Sequence, residues 1–171
     1  MMEARESAQG GGWMTEQHID ETVEREEFRK KHLNKGLYFK DLKTFPVHHR
    51  SMRGTASAHF DVAGNLTIDA HISEIPPGGH NKAHRHVNEA IIYILTGRGY
   101  SIIQLEGETA MRVEWQEGDM FSPPLFAWHQ HYNADPERPA RYLAVTNVPL
   151  MVRIGLFRKE QKVEGDGGEK K

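Results

Sequence analysis

Five of the chain's eleven histidines fall in two short windows. The first, HRHVNEAIIYILTG from His84 to Gly97, has His80 just ahead of it. The second, AWHQHYN, carries His129 and His131. Side chains two apart on a β-strand point to the same face. His84 and His86 can therefore reach inward together with Arg85 turned out, and His129 and His131 can do the same with Gln130 outside. A neutral imidazole pair on one face chelates a divalent metal, and a third ligand from another strand completes one face of its coordination sphere. One H-x-H alone says little; two, each beside a Gly/Pro-rich turn, point to a metal centre.

The rest of the 171-residue chain must supply strands to carry these side chains, and its length suits one domain with a real core. It has no cysteine, which excludes disulfides, thiolate metal sites and a cysteine nucleophile, so a metal would be held by histidine, carboxylate or water. A formal net charge of -2 gives no case for nucleic acid or an anionic membrane as partner. There is no apolar run long enough to cross a bilayer and no apolar signal core at the start, so the expected location is cytoplasmic.

Residues 15–35 carry acids early and bases late and stop at Gly36, which predicts one helix lying over a surface or a partner subunit. From residue 37 short apolar runs alternate with glycine and proline. LTIDAHISEI, AIIYIL, GYSIIQL, AMRVEW, RYLAVTNV and MVRIGLF each have strand length. Many short strands with turn signals between them predict an antiparallel sandwich or barrel. The charged, glycine-rich end after Phe157 predicts disorder.

At the histidine windows the sequence resembles the cupin superfamily, whose first motif runs G-x(5)-H-x-H-x(3,4)-E-x(6)-G and whose second runs G-x(5)-P-x-G-x(2)-H-x(3)-N. Gly78, His84, His86 and Gly97 fit the first, with Ala90 in the glutamate slot. Gly118, Pro124, His129 and Asn133 fit the second, with Phe126 in place of its second glycine. The resemblance spans roughly residues 66–150. It implies an all-β cupin jelly-roll barrel or sandwich with an N-terminal helical extension. The chain would then divide into a flexible leader over 1–14, a helix and connecting segment over 15–45, the cupin domain over 46–157 and a disordered tail over 158–171.

Glu89 is out of phase with His84 and His86, so its carboxylate faces away unless a bulge intervenes, and in-phase Ala90 has no ligand atom. The resemblance with this departure implies a three-histidine site of His84, His86 and His129. The two windows are similar to those of gentisate dioxygenases, two-cupin proteins about twice this length, which use ferrous iron to insert dioxygen into an aromatic ring. The activity implied is a non-heme Fe(II) dioxygenase acting on a small anionic aromatic or dicarbonyl acid, with dioxygen as co-substrate and a homodimer as the assembly.

His131 or Gln104 would donate a hydrogen bond in the pocket, and Tyr93 and Trp128 would line it, or else sit in the core. Arg53, Arg98 and Arg112 offer guanidinium forks that match a substrate carboxylate. His80 reads as a solvated loop residue, and His48, His49, His59 and His71 as structural. Two rivals remain. One is a redox-neutral isomerase, lyase or decarboxylase using Zn(2+), Ni(2+) or Mn(2+); the other is a ligand-binding sensory cupin without turnover.

Overall fold

The computed structural model describes residues 18–163. The expected leader over 1–14 and the chain end beyond residue 163 lie outside them. In chain order the elements are β1 (His18–Asp20), α1 (Thr22–His32), β2 (Leu33–Gly36), β3 (His48–Arg50), β4 (Thr55–Val62), β5 (Asp69–Ile75), β6 (His84–His86) and β7 (Ala90–Thr96). After them come β8 (Arg98–Gln104), β9 (Met111–Gln116), β10 (Met120–Phe121), β11 (Trp128–Asn133), β12 (Ala140–Thr146), α2 (Val148–Arg153) and β13 (Lys159–Lys162). A short 3-10 turn, Ser51–Arg53, follows β3. Two sheets face each other as a jelly-roll sandwich: β1-β13-β6-β11-β8-β9, and β10-β7-β12-β5-β4-β2 with β3 beside β4.

Alternation along the strands decides what each face meets. Ile92 and Ile94 of β7 and Ala140, Tyr142 and Ala144 of β12 point between the sheets, where they pack with Ile75, Trp115 and Phe121 at one end of the sandwich. Leu95, Ala58, Phe60 and Ile72 have the opposite parity. They form a second cluster on the outer face, covered by Phe39, Leu42, Phe45 and Val47 of the segment before β3. The connection between β11 and β12 is held by Asp135, which accepts from the backbone N–H groups of Glu137 and Arg138. Gly99 is required by close approach: a Cβ there would stand 1.9 Å from the Tyr132 carbonyl oxygen and 2.5 Å from the Trp115 ring.

Three expectations need correction. The helix over 15–35 is shorter, because residues 18–20 pair with Glu160–Lys162 as a strand and Asp20 accepts the Thr22 N–H at 2.8 Å at its start. At its other end Leu33 turns extended to run parallel to β4. The stretch MVRIGLF is not a strand: Pro149 in the first turn starts α2, and Gly155 at φ +73° follows its end.

The tail is not disordered from residue 158, since Lys159–Lys162 form β13 between β1 and β6. Its charges are buried because neighbouring elements carry their partners: Glu160 accepts from Arg85 and from Arg158 at 2.6 Å, and Lys159 lies 3.5 Å from Glu21. The sandwich therefore reaches beyond 46–157 at both ends. No helix among the described residues is long and apolar enough to cross a membrane.

Candidate metal centre

The two H-x-H pairs lie on adjacent antiparallel strands, with His129 of β11 directly opposite His84 of β6. Ring centroids are 4.1 Å apart for His84 and His129, 4.9 Å for His86 and His129, and 5.6 Å for His84 and His86. One nitrogen from each ring lies within 4.8 Å of the other two. No Asp or Glu joins this group among the described residues.

Each ring is held by a hydrogen bond to a backbone carbonyl. His84 Nδ1 bonds the Lys82 oxygen at 3.1 Å, His86 Nδ1 the Asn88 oxygen at 2.8 Å, and His129 Nδ1 the Ala127 oxygen at 2.9 Å. A carbonyl only accepts, so Nδ1 carries the proton in all three rings and Nε2 keeps its lone pair, which in His84 accepts from Arg53 Nη2 at 2.9 Å. That is the tautomer a metal needs, with each ligand oriented by its other nitrogen.

Burial keeps the rings neutral. It holds His84 well below the ordinary imidazole range with help from the Arg53 guanidinium, and His86 with help from the His129 ring. His129 falls to about 3, burial outweighing the opposing bond to Ala127. The donor set fits a divalent transition metal.

His131 lies in the same cavity, 5.5 Å from His129 between centroids, but its Nδ1 bonds the Ser101 hydroxyl instead of a carbonyl. Glu89 is exposed and turned outward, its carboxylate accepting from Asn147 Nδ2 at 2.9 Å, and buried Ala90 lines the cavity. The out-of-phase reading of Glu89 agrees with this geometry.

Gln104, Tyr93 and Trp128 do not line the cavity. Gln104 donates to the Glu108 carbonyl at the exposed end of β8. Tyr93 is 43% exposed on the outer face of β7, and the Trp128 ring stacks beneath Arg85 and Lys162. Strand parity explains all three, each being out of phase with the inward residues of its own strand. Arg112 lies over the Tyr100 ring away from the site, whereas Arg53 does enter the cavity.

Arg53 Nη2 stands 3.0 and 2.9 Å from the two ring nitrogens of His84, and Nη1 reaches Glu21 at 3.4 Å. Arg25, Arg50 and Lys159 join it on the cavity wall, as does His71, which the sequence had suggested was only structural. Glu21 is fully buried and takes Arg50 Nη2 at 2.6 Å. Burial acts to raise its pKa, but Arg53, Lys159 and Arg50 together bring it to about 2. Spacing carries no signal for these residues. They arrive from the start of α1, from β3 and the turn after it, from β5 and from β13, and a charged helix reads locally as a solvated one.

Comparison with known proteins agrees with this geometry. Residues 71–146 match the cupin domain family. Over those residues the chain is similar to the cupin domain. The 5-aminosalicylate 1,2-dioxygenase of Comamonas sp is 29% identical to it over 94 residues, 55% of this chain but 23% of that protein. The chain thus matches about a quarter of the length of that relative. The salicylate 1,2-dioxygenase of Pseudoaminobacter salicylatoxidans superposes with a TM-score of 0.55 at 16% identity, over 65% of this chain and 30% of that one. The oxalate decarboxylase of Lactobacillus farciminis does so with a TM-score of 0.54 at 26% identity, over 63% and 32%.

Proposed function

We propose that this cupin is a non-heme iron dioxygenase acting on a small anionic acid, aromatic or dicarbonyl, that chelates the metal. The observation that carries the proposal is the set of three imidazoles, His84, His86 and His129, each donating its Nδ1–H to a backbone carbonyl and none accompanied by a carboxylate among the described residues. Ferrous iron held by these three rings would keep its full double charge and open positions for a bidentate acid and dioxygen. The salicylate-type dioxygenases among its relatives support the same direction.

The chain's own residues then have distinct tasks. Arg53 is placed to bind the substrate carboxylate through its guanidinium fork, exchanging its contact with His84 for one with the acid. His131, with Nδ1 occupied by Ser101, presents an Nε2–H toward the cavity and donates to a substrate oxygen. Ala90 leaves the glutamate slot of the motif without a carboxylate, so no protein anion competes with the acid. Ile92, Ala144 and Val148 line the wall beyond it and limit water there.

The homodimer is part of the proposal. Leu37 and Tyr38, exposed at 82% and 73%, give the segment after β2 an apolar surface suited to a second copy. Sedimentation at micromolar concentration should show a dimer, and a monomer would remove this part.

A redox-neutral reading, with Zn(2+), Ni(2+) or Mn(2+) as Lewis acid, is favoured by the likeness to oxalate decarboxylase and by histidine-only ligation. An oxygen electrode separates the readings. Anaerobically iron-loaded protein is screened against hydroxybenzoates, catechols and diketones. Substrate-dependent oxygen uptake supports the dioxygenase, turnover under nitrogen with a redox-inert metal supports the lyase or decarboxylase, and ligand retention without turnover supports a sensor.

A further inference from the structure

The cavity closes around very little space. Its free volume is about 40 Å³, room for about one or two waters, whereas an apolar cavity that admits benzene measures roughly 150 Å³. A chelating acid and dioxygen therefore reach the histidines only if part of the wall moves.

The strands do not supply that part. All but four of the nineteen lining residues lie on strands, where backbone ladders hold them. The four are Arg25 of α1, Arg53, Asn88 and Val148 of α2. Arg53 is tied to Glu21, to the Lys82 carbonyl and to His84, and Asn88 holds the His86 ring through its own carbonyl, so neither can leave without disturbing a ligand. Arg25 and Val148 differ from them. Both also line a surface groove, which they share with Glu26 and Arg29 of α1 and with Leu66, Pro149 and Val152. These two side chains stand between the groove and the cavity.

The helix that carries Val148 is suited to move. It has six residues, of which Val148 alone is buried, while Leu150 and Val152 are exposed. A helix this short is not stable by itself, so it stays only where contacts hold it. At its start the Asn147 side chain accepts the Glu89 N–H at 2.9 Å and donates to the Glu89 carboxylate at 2.9 Å. Further along, Arg153 donates to the Leu66 carbonyl at 3.0 Å. Asp69 holds the wall beside it: its carboxylate accepts from Arg25 Nη2 at 3.3 Å and from the Thr146 hydroxyl, and so joins α1 to the last residue of β12.

We propose that α2 is the lid of the metal cavity. It swings outward between Asn147 and Gly155, withdraws Val148 from the wall and opens a path from the groove to the three histidines. Glu89, which faces away from the metal, is the latch on its start. The inference rests on the metal-centre reading above and adds the route by which metal and acid arrive.

The test follows zinc exchange in the full-length protein by stopped flow, with a fluorescent zinc indicator reporting uptake by metal-free protein and release into excess indicator. A lid sets the rate of both and the equilibrium of neither. Val148→Ala leaves a gap in the wall, and Asn147→Ala frees the start of α2 from Glu89. Each should speed uptake and release together by at least about fivefold, with zinc affinity changed by less than about twofold. Unchanged rates in the folded variants would overturn the proposal. Faster release without faster uptake would overturn it too, because these residues would then support the ligands and gate nothing. If Val148→Ala fails to fold, Asn147→Ala carries the comparison, since that side chain is only partly buried.

Amide hydrogen exchange of the wild-type protein needs no metal. The Met151 and Ile154 N–H groups, bonded inside α2, should exchange at least about 100-fold faster than those of β12, and equal protection would overturn the lid. Protein that binds no zinc would remove the metal-centre reading, and amide exchange would then decide the lid by itself. Zinc exchange requires neither acid nor dioxygen, so failure of oxygen uptake leaves the lid standing, and unaltered zinc rates leave the dioxygenase standing.

Discussion

The Ser101 hydroxyl lies 2.7 Å from Nδ1 of His131, and the indole N–H of Trp115 donates to the same hydroxyl oxygen at 3.0 Å. The Ser101 hydroxyl hydrogen has Nδ1 as its acceptor and no other among the described residues, and donation there puts the proton of the neutral His131 ring on Nε2. The three rings held by backbone carbonyls have the opposite tautomer. Four histidines in one cavity are thereby divided into three lone-pair donors and one hydrogen-bond donor, and the partner of each Nδ1 makes the division.

This division predicts separable effects. His131→Ala should keep full metal occupancy and lose rate by about 100-fold, because a donor to the reacting oxygens is removed. Ser101→Ala should keep metal as well and lose about tenfold, since the ring can then take either tautomer. His84→Ala, His86→Ala or His129→Ala should each lose most of the metal while keeping the β-fold. Metal analysis beside steady-state kinetics checks the set, and full occupancy in a single ligand variant would remove that residue from the coordination set.

Glu89 provides a second contrast. Its exposed carboxylate bonds Asn147, so Glu89→Gln should leave metal affinity nearly unchanged. Ala90→Glu places a carboxylate on the buried cavity wall beside the histidines, which should tighten the metal and block chelation by an anionic acid. Iron titration of the two variants decides this, and a large loss in Glu89→Gln would mean that the side chain turns inward when metal binds.

Removal of the metal exposes a pH dependence of known sign. His84, His86 and His131 are held well below their ordinary value of 6.5, chiefly by burial, and His129 falls to about 3. Between 6.5 and these lower values the unfolded chain binds protons that the folded chain does not, so stability rises with pH across that window. The metal-free protein should therefore be at a plateau above about pH 6.5 and lose stability steadily as the pH falls below it. Metal affinity of the folded protein should instead stay level through this window and fall only as the pH nears the lowered values, because only there do protons compete for the Nε2 lone pairs. Urea unfolding of chelator-treated protein across this range measures the slope, and a flat profile would contradict neutral buried rings.

The parts of this molecule that were legible in the sequence are those set by local spacing. H-x-H parity placed the imidazoles on one face, and Gly/Pro punctuation marked most of the central strands. Phe126 shows how backbone demand can be legible too, since it occupies the motif's second glycine position and adopts φ +58°. What spacing could not carry was pairing between distant charges. The acids and bases of residues 18–32 and of the chain end look solvated when read one segment at a time. These segments in fact bury charges against distant parts of the chain: Lys159 meets Glu21, and Arg25 meets Asp69 of β5. Gln104, Tyr93 and Trp128 failed as pocket residues for a simpler reason, since each has the wrong parity.

The same pairing yields the last prediction. Glu21 is fully enclosed where β1 gives way to α1, and it ties the N-terminal segment to Arg50 on β3, to Arg53 beside His84 and to Lys159 on the last strand. Removing one partner of a buried ion network leaves cations without compensation, which costs about 3 to 5 kcal/mol. Glu21→Gln should therefore destabilise the fold by that order at neutral pH. The wild-type contribution has its own pH window. The carboxyl falls from 4.5 to about 2, so its stabilisation is complete above 4.5 and is lost as the pH drops toward 2, below most of the histidine range. Adding Lys159→Met to Glu21→Gln should cost less than the two single changes together, because the second substitution removes a cation that the first left unpaired. Urea midpoints of the three variants measure this coupling. A Glu21→Gln midpoint equal to that of the wild type would mean that the N-terminal segment is held by packing alone.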